Sequence, residues 1–255
     1  MTSAEADPCA ALKRAAAERA TEWLRSGMVV GLGAGSTALF AVHRISALLA
    51  RGVLSDIVGV PCSRAVALAA EQLGIPITTL ECHPILDVTI DGADEVELAS
   101  FALIKGGGGA LLHEKIVAQA SRREIIVIDA TKPSAALGSQ RAVPVEVVPF
   151  GWQSQAAYVA SLGARVELRT GLGGTPYRTD QNNLILDCHF GAIRDPRRLA
   201  RAFADRAGIV EHGLFIDLAT DLVIAGVGGI RHLTRARPAS MSTTSMTIES
   251  GSSRR

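Results

Sequence analysis

Between residues 91 and 114 the chain sets two aspartates, a lysine, a run of glycines and, last of three glutamates, Glu114 in DGADEVELASFALIKGGGGALLHE. At ~4 Å the carboxylates of Asp91 and Asp94 would repel by roughly 4 kcal/mol under an effective dielectric near 20. A buried pair therefore needs a cation or a shared proton, and Lys105 is the nearest candidate cation to balance the aspartates. Gly106, Gly107, Gly108 and Gly109 cost conformational entropy and pack nothing, which makes sense where backbone amides approach a ligand closely. Glu114 falls in the first turns of the following helix, where its side chain can reach back over the glycine loop. Each feature also has an ordinary reading: an Asx-rich surface turn for DGADE, a helix-dipole partner for Glu114.

Two further loops belong with these. GLGAGST places Gly33, Gly35 and Ala38 at the spacing of a dinucleotide fingerprint, but that reading also wants an acid at the end of the next strand. The next strand is DIVGVPCS, with Asp56 at the wrong end. What survives is a glycine turn whose amides, with the Ser36 and Thr37 hydroxyls, hold a small anion at a helix start, or a tight turn with a Ser/Thr cap. DATK ends in Lys132, which at the same edge would meet a phosphate as a point charge; Lys13 is a weaker candidate for the same task. His113 and Glu114 begin an H-E-x-x-H pattern, but Val117 occupies the second histidine position, so zinc chemistry is rejected.

The elements that must hold these loops follow from periodicity. Leu12, Ala16, Ala20, Trp23 and Leu24 recur at helical spacing ahead of Gly27, in the position of a C-cap glycine. MVVGL, DIVGV, ITTL, LDVTI, FALI and EIIVID read as strands, with helices over 38–49, over AVALAAEQL up to Gly74, and over ALLHEKIVAQA. This alternation predicts an α/β fold with a doubly wound, mostly parallel, Rossmann-like sheet. Such sheets bind ligands at the carboxyl ends of their strands, and the four loops are expected to converge there. After Lys132, VPVEVVP, a helix near 153–162, ARVELR, LILDC and a helix after Asp195 read as β-α-β-β-α, a smaller α+β unit of ferredoxin-like type. The expected division is 1–132 and 211–235 for the Rossmann-like part, the latter returning to the first sheet through GLFI and DLVIAGV, with 133–210 inserted. Residues 236–255, rich in Ser and Thr, are expected to be disordered.

Composition narrows the class. Of 255 residues 48% are hydrophobic and only 4% aromatic, so the core must be built from Ala, Val, Leu and Ile, as where helices pack on a parallel sheet. With 26 basic and 25 acidic residues the net charge is +1, too small for an electrostatic footprint on nucleic acid. Cys9, Cys62, Cys82 and Cys188 form no C-x-x-C pair, so free thiols in a reducing compartment are expected. No basic region followed by an apolar run opens the chain and no apolar stretch reaches the ~18 residues of a membrane span. The expectation is a cytoplasmic protein without membrane or nucleic-acid partners.

GLGAGSTA, DGADE, KGGGGALLHEK, DATK and PVEVVPFGW, in this order and at these separations, resemble ribose-5-phosphate isomerase of type A, from about Leu12 to about Leu233. The resemblance implies interconversion of ribose 5-phosphate and ribulose 5-phosphate in the pentose phosphate pathway, without metal or cofactor, by a homodimer or homotetramer. It assigns Glu114 as the base moving a proton between C2 and C1, and Asp91, Asp94 and Lys105 as the polar groups around the sugar. Further substrate contacts would be Ala34, Gly35, Ser36, Thr37, Gly92, Ala93, Gly106, Gly107, Gly108 and Lys132. Two departures stand out: Ala34 replaces a threonine usual in the first loop, and the stretch holding ELAS is one residue longer, which reads as a loop change. A sugar-phosphate sensor of related fold, with no need of Glu114 or Lys105, and a nicotinamide dehydrogenase are the rival readings.

Overall fold

A computed structural model describes residues 9–235; the Ser/Thr-rich segment 236–255 lies outside them. The chain runs α1 (Ala10–Thr21), β1 (Val29–Leu32), α2 (Gly35–Ala50), β2 (Val58–Pro61), α3 (Arg64–Gln72) and β3 (Val88–Asp91). A short hairpin follows, β4 (Glu95–Glu97) and β5 (Ala102–Ile104), then α4 (Leu111–Ala120), β6 (Glu124–Asp129) and β7 (Pro133–Ser134). Next come β8 (Val143–Val147), α5 (Trp152–Ser161), β9 (Arg165–Leu168), β10 (Leu184–His189), α6 (Pro196–Ala204) and β11 (Ile209–His212). The described chain closes with β12 (Leu214–Phe215), β13 (Asp221–Gly226) and β14 (Gly229–Thr234).

The main sheet has the order β14-β13-β6-β3-β1-β2, parallel throughout except for β14, which pairs antiparallel with β13 at the edge. Its central strands are apolar on both faces because both are covered. Ile125, Val127, Val223 and Ala225 pack toward α1 and α2, while the alternate residues Ile126, Ile128, Leu222 and Ile224 pack with Ala118 of α4. Each such Ile or Val contributes ~1.5–3 kcal/mol by leaving water. Ala16, Ala17 and Ala20 are fully buried, and their small side chains let α1 lie close on the sheet.

The expected ferredoxin-like unit is present as β8-α5-β9-β10-α6-β11, an antiparallel sheet of order β11-β8-β10-β9. Asp195 caps α6 by accepting the Arg198 N–H at 2.9 Å, with Pro196 opening the helix. β11 crosses residue 211, so the small sheet keeps the chain through His212.

Several local expectations are corrected. α1 ends at Thr21; Trp23 and Leu24 lie beyond it, and Gly27 (φ 81°) serves the turn into β1 rather than a helix cap. ITTL forms no strand, only one bridge from Ile77 to Gly59. FALI does not join the parallel sheet, and GLFI does not return to it. Both belong to a third sheet of order β12-β5-β4-β7, in which β5 pairs antiparallel with β4 and β12. The apolar side chains of these strands cover the main sheet over α4, with Val96, Leu103 and Phe215 in one cluster with Ile126 and Ile128. Short apolar runs look alike wherever they are buried, so periodicity alone could not assign them to a sheet.

Candidate active site

Asp91 is the last residue of β3 and has no exposed surface. Its Oδ1 accepts the N–H groups of Ala34 at 3.0 Å and Gly92 at 2.7 Å; its Oδ2 lies 3.0 Å from Lys105 Nζ. This approach dictates Gly33: a Cβ there would fall 2.5 Å from Asp91 Cα and Cγ, so any side chain would push β1 and β3 apart. The first glycine loop is thus shaped around a buried carboxylate.

Lys105 follows β5. Its Nζ donates to Gly92 O at 2.6 Å and to Glu114 Oε1 at 3.0 Å, and it forms an ion pair with Asp91 Oδ2 at 3.0 Å. Burial works against its charge, but the two carboxylates outweigh burial and hold its pKa above the ordinary lysine value. Lys105 therefore balances Asp91 and Glu114, not Asp91 and Asp94. Asp94 is held otherwise: its Oδ2 accepts the Gly107 N–H at 2.7 Å, an approach a Cβ on Gly107 would obstruct at 2.8 Å.

Glu114 sits in the first turn of α4, with its N–H donated to Ala110 O. It is 5% exposed, and its Oε2 has no hydrogen-bond partner. Burial pushes its pKa up to about 7, with Lys105 opposing and Asp91 adding to the rise. A carboxylate poised near neutrality, with one oxygen fixed by a cation and the other unengaged, has the electrostatics of a general base.

The β4–β5 hairpin that leads into Lys105 is regular. Glu95 pairs with Ile104, Val96 with Leu103 and Glu97 with Ala102, and Asp94 N–H donates to Ile104 O at 2.9 Å. The turn is closed by the Phe101 N–H donating to Glu97 O at 2.9 Å, with Phe101 at φ 59°.

These groups border a small cleft that opens to solvent. Ala34, Gly35, Ser36, Thr37, Gly92, Ala93, Asp94, Lys105, Gly108, Glu114 and Lys132 line it, joined by Lys13 and Ala110. Asp91, Gly106 and Gly107 do not line it; they stand behind, holding Lys105, Asp94 and the loop. Lys105, Glu114, Asp94 and Gly108 share the cleft with Lys13, Lys132 and the start of α2, where the Ala34 side chain caps no amide and the helix N-terminus favours an anion. Lys13 Nζ donates to Ser36 Oγ at 3.3 Å.

Sequence reasoning gave no place to Arg169 and Tyr177, which reach the glycine loop from the small sheet. Arg169 Nη1 donates to Gly106 O at 2.8 Å and Gly107 O at 3.1 Å, and the Tyr177 hydroxyl donates to Gly108 O at 3.1 Å. Nothing in the sequence signals them, because both come from a turn-rich segment more than sixty residues downstream. His113, next to Glu114, is engaged by Gln181 of the same segment.

Fold and site together define a class: an α/β protein whose sheet-edge cleft is equipped for proton transfer on a small anion. Comparison with known proteins makes this specific. The family profile of Ribose 5-phosphate isomerase A (phosphoriboisomerase A) matches residues 58–229. Ribose-5-phosphate isomerase A of Chloroflexus aurantiacus is 54% identical over 222 residues, covering 87% of this chain and 92% of the relative. That of Desulfatibacillum aliphaticivorans is 51% identical over 226 residues, covering 89% and 98%. Among solved structures, the ribose 5-phosphate isomerase from Plasmodium falciparum superposes with a TM-score of 0.86 at 36% identity, covering 89% of this chain and 100% of that one. A D-ribose-5-phosphate isomerase in complex with phospho-erythronic acid gives 0.86 at 36% identity, covering 88% and 98%. The chain belongs to the ribose 5-phosphate isomerase A family.

Proposed function

We propose that the protein interconverts ribose 5-phosphate and ribulose 5-phosphate, in the non-oxidative pentose phosphate pathway, with Glu114 as the proton-transferring base. The observation that carries the assignment of Glu114 is its buried carboxylate at the cleft wall, with Oε1 on Lys105, Oε2 unengaged and a pKa of about 7. Its ionised form is accessible near neutral pH, and it retains enough basicity to accept a proton from carbon.

In the open-chain aldose, Glu114 takes the C2 proton. The electrons of that bond form the C1–C2 double bond of an enediolate, and the carbonyl electrons move to the C1 oxygen. The developing oxyanion is stabilised by Lys105 and by the Gly108 amide. Asp94, at the cleft wall, carries the hydroxyl proton from the C2 oxygen to the C1 oxygen and assists ring opening. Return of the proton from Glu114 to C1 yields the ketose. Asp91 acts through its neighbours, fixing Lys105 and the Ala34 amide. The phosphate is held by Lys13, Lys132, Ser36, Thr37 and the α2 amides, where positive charge and helix dipole coincide.

The same reading extends to a cytoplasmic homodimer or homotetramer. The location is supported by the metabolic substrate, and the assembly by the family resemblance. Among the described residues no helix is long and apolar enough to cross a membrane.

The test is incubation with ribose 5-phosphate alone, following ribulose 5-phosphate. Turnover that is lost in Glu114→Gln with substrate binding kept supports the assignment. Binding without turnover in the parent protein points to a sugar-phosphate sensor. Near-normal turnover in Glu114→Gln removes Glu114 from its role.

A further inference from the structure

We propose that Arg169, on the small sheet, is a positioning residue for the reaction: it sets the direction in which the glycine loop presents its amides. The inference rests on the isomerase reading above. Arg169 directly follows β9, and its backbone is fixed on both sides, its N–H donating to Ile185 O at 2.8 Å and its carbonyl accepting Tyr177 N–H at 2.9 Å. Its guanidinium is gripped by Asp187, Nε to Oδ2 at 2.9 Å and Nη2 to Oδ1 at 2.5 Å. The remaining nitrogen, Nη1, donates to the carbonyls of Gly106 and Gly107. The side chain is 14% exposed.

A trans peptide points its N–H opposite to its C=O, and the described chain has no cis peptide bond. Turning Gly106 C=O to Arg169 therefore turns Gly107 N–H the other way, where it meets Asp94 Oδ2 at 2.7 Å. Turning Gly107 C=O to Arg169 likewise turns Gly108 N–H away from the guanidinium, and Gly108 lines the cleft. One guanidinium thus orients two peptide planes, one anchoring Asp94 and the other aiming an amide. The charge of Arg169 also polarises both peptides toward stronger donation. Glycine peptides have the least intrinsic preference for any orientation, so an external clamp matters more here than in an ordinary loop. Lysine cannot replace the fork, because its ammonium lacks the planar geometry that spans a carboxylate and two carbonyls.

The experiment compares Arg169→Lys with the parent protein and Glu114→Gln, using ribose 5-phosphate. An amide misaimed at a developing oxyanion weakens the transition state more than the ground state. The expected result is a fall in kcat of about tenfold or more with KM changed by less than about threefold, and an acid limb still near pH 7 because Glu114 keeps its surroundings. Added methylguanidine should restore part of the kcat lost in Arg169→Ala. A folded Arg169→Lys with kcat within about twofold of the parent overturns the proposal, as does a lowered melting temperature with kcat unchanged. If neither Arg169 variant folds, Asp187→Asn decides: kcat reduced about threefold or more at constant KM supports the clamp, and unchanged kcat overturns it. An inactive parent would sink the isomerase reading, whereas an active parent, a dead Glu114→Gln and an unimpaired Arg169→Lys would sink the clamp alone.

Discussion

Lys105 and Lys115 are two buried lysines, 2% and 5% exposed, that share one phenyl ring: their ammonium nitrogens lie 5.5 and 4.8 Å from the Phe215 centroid. Burial acts on both in the same direction, yet their charge states are pulled apart. Lys105 meets two buried carboxylates and its pKa is held up. Lys115 meets one partly exposed carboxylate, Glu211 at 2.6 Å, together with His212 O at 2.6 Å, and burial brings its pKa below the ordinary value. The number and burial of the partners, rather than depth, decides which lysine is a fixed cation. One faces the cleft and completes the proton-transfer site. The other ties α4 to β11, joining the helix that carries Glu114 to the small sheet.

The contrast can be broken most severely at Lys105. Lys105→Met strands Asp91 and Glu114 without a cation, so it should abolish measurable turnover and lower unfolding stability by ~3–5 kcal/mol, read by denaturant titration. Glu114→Gln should lower kcat by roughly 10²–10⁴ with binding retained, checked by kinetics and by calorimetric titration. Lys115→Met is the counterpart: Glu211, 23% exposed, loses its cation but still accepts the His212 N–H at 2.8 Å, so kcat should stay within about threefold while the melting temperature falls by a few degrees. A loss of activity there as large as at Lys105 would erase the distinction between the two lysines.

Acidity sharpens the comparison further. Because Glu114 must be ionised, kcat/KM should fall as pH drops through about 7. Stability should move the opposite way. The folded-state pKa of Glu114 is raised above its ordinary value of 4.5, so its contribution is fully present below that value and is lost as pH rises through about 7. Burial holds Glu124 well above the same ordinary value, with both carboxylate oxygens unpartnered, and it adds in the same direction. Burial holds the His212 imidazole down to about 4, which acts the other way over this range, so the sign is checked by the difference between thermal melts of the parent and Glu114→Gln at pH 5 and pH 8. The smallest effect is expected at Ala34, the N-cap of α2, which makes no side-chain cap bond. Ala34→Thr should add ~1 kcal/mol of stability and leave KM unchanged or lower; a raised KM would count against a substrate-facing hydroxyl at position 34.

The alternation of apolar runs and helical periods was enough to determine the α/β class, the ferredoxin-like unit and the sheet edge at which GLGAGST, DGADE and DATK gather, because these follow from local periodicity and the rules of parallel sheets. Residue types alone also marked Glu114, Lys105 and the glycine loop as a unit. Tertiary structure decided the rest. It gave FALI and GLFI to a third sheet, since short buried strands carry no address. It paired Lys105 with Asp91 and Glu114, and sent Asp94 to the Gly107 amide, since partner choice depends on angles fixed by packing rather than on separation along the chain. It also brought Arg169 and Tyr177 onto the glycine loop from sixty to seventy residues away, a contact that no local pattern encodes because the small sheet's fold creates it.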